Sequence, residues 1–194
     1  MTTNQPTAEF LTALSSLKGQ TFRPELRIGQ IPGPTQIAPW AVALQAEVFP
    51  SADHDEAERQ GAGRFAVLHD PQTQPAWNGT FRIVVHAQAP MDSVMGDDPL
   101  LGEVAWSWLR DALDNRGASY HSLNGTVTRV FNETFGGLHI NSARVDLEVR
   151  ASWTPQTEYL TEHVHAWADF LASISGLGPW SDQVATLARK VERI

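Results

Sequence analysis

Between positions 40 and 49 hydrophobic side chains fall on every second residue, so Val42, Leu44, Ala46 and Val48 share one side. That two-residue period belongs to a strand with one buried face. The parity recurs from Thr80 to Gln88, where Phe81, Ile83, Val85 and Ala87 face one way and Arg82, Val84 and His86 the other. It appears again from Arg144 to Trp153: Val145, Leu147, Val149, Ala151 and Trp153 alternate with Arg144, Asp146, Glu148 and Arg150. Arg64 to His69 predicts a further strand, and Leu26 with Ile28 a weaker extended piece. Ile31-Pro32-Gly33-Pro34 excludes helix and central strand, because proline fixes φ and lacks a donor. The charged, Gly-bounded stretch from Asp53 to Gly63 has no period and predicts a solvated loop.

Helical spacing replaces this alternation in three places. Phe10, Leu11, Leu14 and Leu17 predict a short helix over Thr7 to Lys18, stopped by Gly19. Asp98-Pro99 places an N-cap residue before a first-turn proline and predicts a helix running to Gly117. Its stripe is Leu101, Val104, Ala105, Trp108 and Ala112, which leaves Trp106 about 100–140° away. Thr154-Pro155 repeats the cap-plus-proline start, and Leu160, Val164, Trp167, Leu171 and Ile174 then run to Gly176. Beyond a Gly-Leu-Gly-Pro linker, Val184, Leu187, Ala188 and Val191 form a last amphipathic stretch ending in Arg189, Lys190 and Arg193, where cations suit a helix C-terminus. Asn124-Gly125 predicts a hairpin turn between residues 120–123 and 126–129, and Gly136-Gly137 ends the strand that follows.

These elements predict an α+β fold: a single, mainly antiparallel sheet with helices packed on one face and the other face wet. The expected division is one α+β domain over 1–178 and a C-terminal amphipathic extension over 179–194. Trp77-Asn78-Gly79-Thr80-Phe81 echoes Leu123-Asn124-Gly125-Thr126-Val127. Each leads through strands into a Trp-containing helix, so an internal pseudo-repeat of strands then helix is also expected as an option.

Composition narrows the function. With 14 basic and 22 acidic side chains the net charge is −8, which disfavours direct, non-specific nucleic-acid binding. Cysteine is absent, so thiol catalysis, disulfides and thiolate metal sites are excluded. The first eight residues lack a basic start and apolar run, and no segment reaches the ~18 apolar residues of a spanning helix. A cytoplasmic protein without a membrane partner is expected.

Sites with chemistry are few. Asp53-His54-Asp55-Glu56 groups possible metal ligands, but consecutive residues point apart and no ligand spacing is present. His163 and His165 stand two apart, not the i, i+4 of a helical zinc pair. His69-Asp70-Pro71 reads as turn initiation, and no Gly-x-Ser-x-Gly elbow supplies a nucleophile. Gly61-Ala62-Gly63 precedes a strand, whereas a phosphate-binding turn must follow one. No metal site and no cofactor are expected.

The wet face is the better candidate, since Arg64, Arg82, His86, Arg144, Asp146, Glu148 and Arg150 all project from it if the strands are neighbours. They either form cross-strand ion pairs or converge on an anionic ligand or acidic partner. Trp106 either packs on a loop such as 72–75 or serves as an exposed interface anchor, with the C-terminal segment, in a homodimer. The expected binding residues are therefore Arg64, Arg82, His86, Arg150 and Trp106, in a non-catalytic binding or interaction module. The alternative is a small-molecule enzyme using His86 or His69 as acid–base with nearby Arg and carboxylate groups.

Several phrases resemble an actinobacterial family catalogued as domain of unknown function 3000. They include Leu68-His69-Asp70-Pro71, Trp77-Asn78-Gly79-Thr80-Phe81-Arg82, Trp106-Ser107-Trp108-Leu109, and Arg150-Ala151-Ser152-Trp153-Thr154-Pro155. The likeness spans about residues 10–178. It implies a cytoplasmic protein with no assigned activity, so it supplies no catalytic residue. Genes of that family neighbour a ribonuclease D-like exonuclease, which implies a further alternative, an RNA-processing accessory protein.

Overall fold

A computed structural model describes residues 5–133 and 144–178. Its strands are β1 (Leu26–Ile31), β2 (Trp40–Val48), β3 (Gly61–Gln74), β4 (Gly79–Met91), β5 (Tyr120–Asn132) and β6 (Arg144–Pro155). The helices are α1 (Ala8–Leu17), α2 (Ser93–Asp97), α3 (Leu101–Asn115) and α4 (Thr161–Ile174). The six strands form one sheet in the order β1-β2-β3-β4-β6-β5, with every neighbouring pair antiparallel. The α+β architecture is as the alternation requires. β4 and β5 run parallel with β6 inserted between them, so α2 and α3 form the crossover from the middle of the sheet to its edge.

Side-chain parity holds across the sheet. Phe65 and Val67 of β3, Ile83, Val85 and Ala87 of β4, and Leu147, Val149 and Trp153 of β6 are buried on one side. Phe10 and Ala13 of α1, Leu101, Ala105, Leu109 and Leu113 of α3, and Val164, Trp167, Phe170 and Leu171 of α4 complete that core. Burying each large side chain contributes roughly 1.5–3 kcal/mol, which makes this layer the main source of stability. α4 lies so close to β3 that a Cβ on Gly63 would stand 3.1 Å from the Leu171 side chain. A polar link also joins sheet to helix: Trp153 Nε1 donates to His163 Nδ1 at 3.0 Å.

Several local expectations give way to tertiary demands. Asn124-Gly125 is no hairpin turn, because β5 continues through both residues. The irregularity falls just before them, between His121 and Asn124, where Ser122 takes φ 52°. Gly125 is there for space: a Cβ would lie 2.3 Å from the Arg150 carbonyl oxygen and 2.8 Å from the Trp106 ring. By contrast Asn78, at φ 53°, does turn the chain between β3 and β4, so the two echoing phrases serve different ends.

Thr154-Pro155 does not start a helix. Both residues belong to β6, and Thr154 Oγ1 is occupied as a donor to the Trp77 carbonyl at 2.5 Å. α4 begins six residues beyond Pro155 at Thr161. Asp98 caps a turn ahead of α3 rather than the helix itself, accepting from the Leu100 N–H at 2.8 Å. The α3 face that reaches the core is Leu101, Ala105, Leu109 and Leu113, whereas Val104 is exposed. The expected stripe is thus rotated toward Trp106. The loop over 53–63 holds a short 3-10 turn at Glu56–Glu58, and β3 already starts at Gly61. Gly136-Gly137 and the amphipathic stretch from 179 onward lie outside the described residues.

Candidate functional site

Register decides what the open face can do. Reading across the strands at one level, Gln45, Arg64, His86, Arg150 and Thr126 are successive partners on β2, β3, β4, β6 and β5. The neighbouring level carries Ala43, Ala66, Val84, Ser152 and Asn124. A polar row therefore runs beside a row of small and apolar side chains. Between them lies an open trough of about 530 Å³, lined by Arg64, Val84, His86, Asn124, Thr126, Glu148, Arg150 and Ser152. A second hollow of about 380 Å³ lies on the β2 side, lined by Gln45, Glu47, Arg59, Ala62, Arg64, His86 and Gln88. Arg64 and His86 line both and form the ridge between them.

The charges in the trough are unevenly used. His86 Nε2 is 2.7 Å from Glu148 Oε1, and a carboxylate can only accept, so Nε2–H is the donor. Arg150 Nη2 donates to the same oxygen at 2.6 Å. The hydrogen bond from His86 is the largest influence on the Glu148 carboxyl; with Arg150 it outweighs burial and holds the group below the usual carboxylate range. Arg150 remains largely exposed. Arg64 is exposed too, and among the described residues its guanidinium has no hydrogen-bond or ion-pair partner. Arg27 and Arg59, toward β1, are satisfied: Glu47 accepts from Arg59 at 2.8 Å and from Arg27 at 2.5 Å, and Arg27 also pairs with Glu56.

Arg82 departs from the expected picture. It lies on the open side of the sheet but is only 5% exposed, covered where β5 bulges at Ser122. Its Nη1 donates to the Ser122 carbonyl at 2.9 Å and to Thr154 Oγ1 at 3.1 Å, and Nη2 donates to Ser152 Oγ at 2.8 Å. It ties β4, β6 and β5 together and does not project to solvent. Asp146 is likewise buried, accepting from Asn132 Nδ2 at 3.0 Å. The side chain of Arg144 lies outside what the structure describes.

Trp106 is half-buried, with its ring against Gly125 of β5. His69 is 1% exposed, between the rings of Phe10 and Phe81. Its Nδ1 donates to the Thr80 carbonyl at 3.1 Å, and Nε2 accepts from Thr7 Oγ1 at 2.8 Å. Burial is the leading influence on its pKa, which is lowered. Thr7 also accepts from the Phe10 N–H as the N-cap of α1, so His69 pins that helix to the sheet and has no path to a substrate.

In the charged loop, Asp55 accepts from the Ala57 N–H, Glu56 pairs with Arg27, and His54 bonds to the Pro24 carbonyl. His165 faces Gln20 Oε1 at 3.0 Å. Sequence alternation places Arg64, His86, Glu148 and Arg150 on one face but carries no sign of which arginine is left without a partner. Nor does it show Asn124, Thr126 and Ser152 as trough walls, because that depends on the strand order.

Fold and site together define an open-faced α+β sheet protein whose exposed surface carries a shallow polar trough. A family model described as protein of unknown function (DUF3000) matches residues 6–185, and the chain belongs to that family. No curated protein and no solved structure matches the chain. Among the described residues no helix is long and apolar enough to cross a membrane.

Proposed function

We propose that the protein is a binding module that takes a small anionic ligand, a carboxylate or phosphate attached to a modest apolar body, in the trough on its open sheet face. One observation carries this reading: among the described residues Arg64 stands unpartnered beside the His86–Glu148–Arg150 array. A guanidinium fork binds carboxylate and phosphate oxygens bidentately. Val84, 40% exposed on the floor, offers apolar area next to it. Glu148 sets Arg150 in place while leaving its outer donors to solvent.

Among the described residues the face carries no Phe, Tyr or Trp along either level of the register, and the one ring on it, the His86 imidazole, is tied to Glu148. The face therefore lacks the stacking platform on which single-stranded nucleic acids are held. Phenyl phosphate and benzoate are suitable probes in a 1H–15N titration. Saturable shifts should gather on the Arg64 Nε–H and on the amides of Arg64, His86 and Arg150, and Arg64→Ala should abolish them. Shifts that persist unchanged in Arg64→Ala, or none at all, would remove the proposal.

A second reading rests on the His86–Glu148 hydrogen bond. With Nε2–H donated to a carboxylate, a neutral ring keeps Nδ1 free to accept a proton from a ligand held at Arg64. Turnover lost in His86→Gln while probe binding remains would favour this enzyme reading.

A further inference from the structure

The outermost strand supplies an independent observation. β5 is thirteen residues long and sits at the end of the sheet. Among the described residues β6 pairs one of its edges and nothing pairs the other. Edge strands are ordinarily blunted by shortness, charge, proline or a bulge. The opposite edge, β1, follows that rule: it has six residues, carries the ion-paired Arg27 and runs into Pro32 and Pro34.

β5 does not follow it. Its irregularity ends at Asn124, and from there to Asn132 it has no proline and a single charge, Arg129. That guanidinium is turned away, donating to the Asp98 carbonyl at 2.9 Å and the Gly96 carbonyl at 3.4 Å. Thr126, Val127, Thr128, Val130 and Phe131 are residues that favour extended backbone. Val130 and Phe131 leave 38% and 58% of their surface exposed, on opposite faces of the strand.

We propose that β5 pairs antiparallel with β5 of a second copy of this chain, about a twofold axis at Thr128, joining two sheets into one. At that register Thr128 stands opposite the partner's Thr128, Thr126 opposite the partner's Val130, and Asn124 opposite the partner's Asn132. On the helix side Val127 meets the partner's Arg129, and Gly125 meets the partner's Phe131. No like charges oppose, Asn faces Asn, and the exposed phenyl ring covers a residue without a side chain, beside the Trp106 indole. The strand is self-complementary, as an isologous interface requires.

The consequence for the trough is direct. Asn124 and Thr126 form its outer wall, so the partner's Asn132 and the partner's Val130 extend that wall past the edge of one chain. The pairing does not depend on what the trough binds.

The chain has no cysteine, so one introduced thiol reports alone. Opposed residues of an antiparallel pair have Cα atoms about 4.5–5.5 Å apart, within disulfide range. Under mild oxidation Thr128→Cys should form a covalent dimer. Thr126→Cys, on the same strand and face but four residues from its own copy, should not. Wild type should sediment at twice the chain mass, and Val130→Lys should raise the dimer dissociation constant about tenfold or more. A wild-type protein that stays monomeric at about 100 μM, a concentration that populates even a weak dimer, would overturn the proposal. Equal cross-linking of Thr126→Cys and Thr128→Cys would overturn it as well.

Discussion

Acid should destabilise this fold through one buried imidazole. His163 on α4 is 2% exposed and accepts the Trp153 indole N–H on Nδ1 at 3.0 Å. Protonation would place a second donor where the acceptor stands, inside an apolar layer. Burial alone pushes the ring from 6.5 down to about 4. The unfolded chain takes up this proton as the pH falls through 6.5, while the native protein resists until about 4. In that window the unfolded state binds more protons, so stability falls as pH falls. At about 1.36 kcal/mol per pH unit the loss reaches about 2 kcal/mol at pH 5 and about 3 kcal/mol by pH 4. Urea denaturation of wild type and His163→Gln across pH 4–7.5 isolates this contribution, because other titrating groups cancel in the difference. Glutamine can still accept from Trp153, so the variant should fold. The wild-type advantage should shrink steadily below pH 6.5. A difference independent of pH would refute the reasoning.

The sheet parity and the role of Arg82 are open to equally direct tests. Leu147→Ala removes a fully buried side chain and should cost about 2–5 kcal/mol in denaturant midpoint experiments, whereas Glu148→Ala on the opposite face should cost far less. Arg82→Ala should cost a few kcal/mol, since the buried Thr154 Oγ1 loses its donor at roughly 1–3 kcal/mol and the part-buried bonds to the Ser122 carbonyl and Ser152 Oγ are lost with it. Arg64→Ala, with no partner to strand among the described residues, should leave the melting temperature nearly unchanged.

What the sequence displays and what it hides divide along a physical line. Alternation is a local property, and it placed Val145, Leu147 and Val149 inward and Glu148 and Arg150 outward, as the structure has them. The 4-3-4-3 run from Leu160 to Ile174 likewise marks a helix whose buried side is so broad that Ala166, Ala168 and Phe170 join it. Misreadings arise where a residue type answers two needs. Glycine at 125 looks like turn chemistry, but serves to admit Trp106 and the Arg150 backbone. Thr154-Pro155 has the form of a helix start, but Thr154 belongs to a buried strand end shared with Arg82 and Trp77.

Arg82 and Arg64 are the sharpest case. Both sit on the outward parity of adjacent strands, and no local pattern distinguishes them. The β5 bulge over one end of the sheet buries the first and leaves the second bare.

This contrast bears on which anions the face could accept. A net charge of −8 repels any extended polyanion over the roughly 8 Å that fields reach at physiological salt. A nucleic-acid backbone adds a phosphate charge about every 1.7 Å along a duplex and so meets that repulsion along its whole length. A ligand with one or two charges meets it only while approaching. Once seated it lies against Arg64 and Arg150, with the nearest carboxylate, Glu148, already engaged by His86 and Arg150. The acidic surroundings then act as a filter on size. The same arginines that would weakly attract any anion are reachable only by one small enough to leave its charge inside the trough, which is why phenyl phosphate should displace benzoate while an oligonucleotide should displace neither.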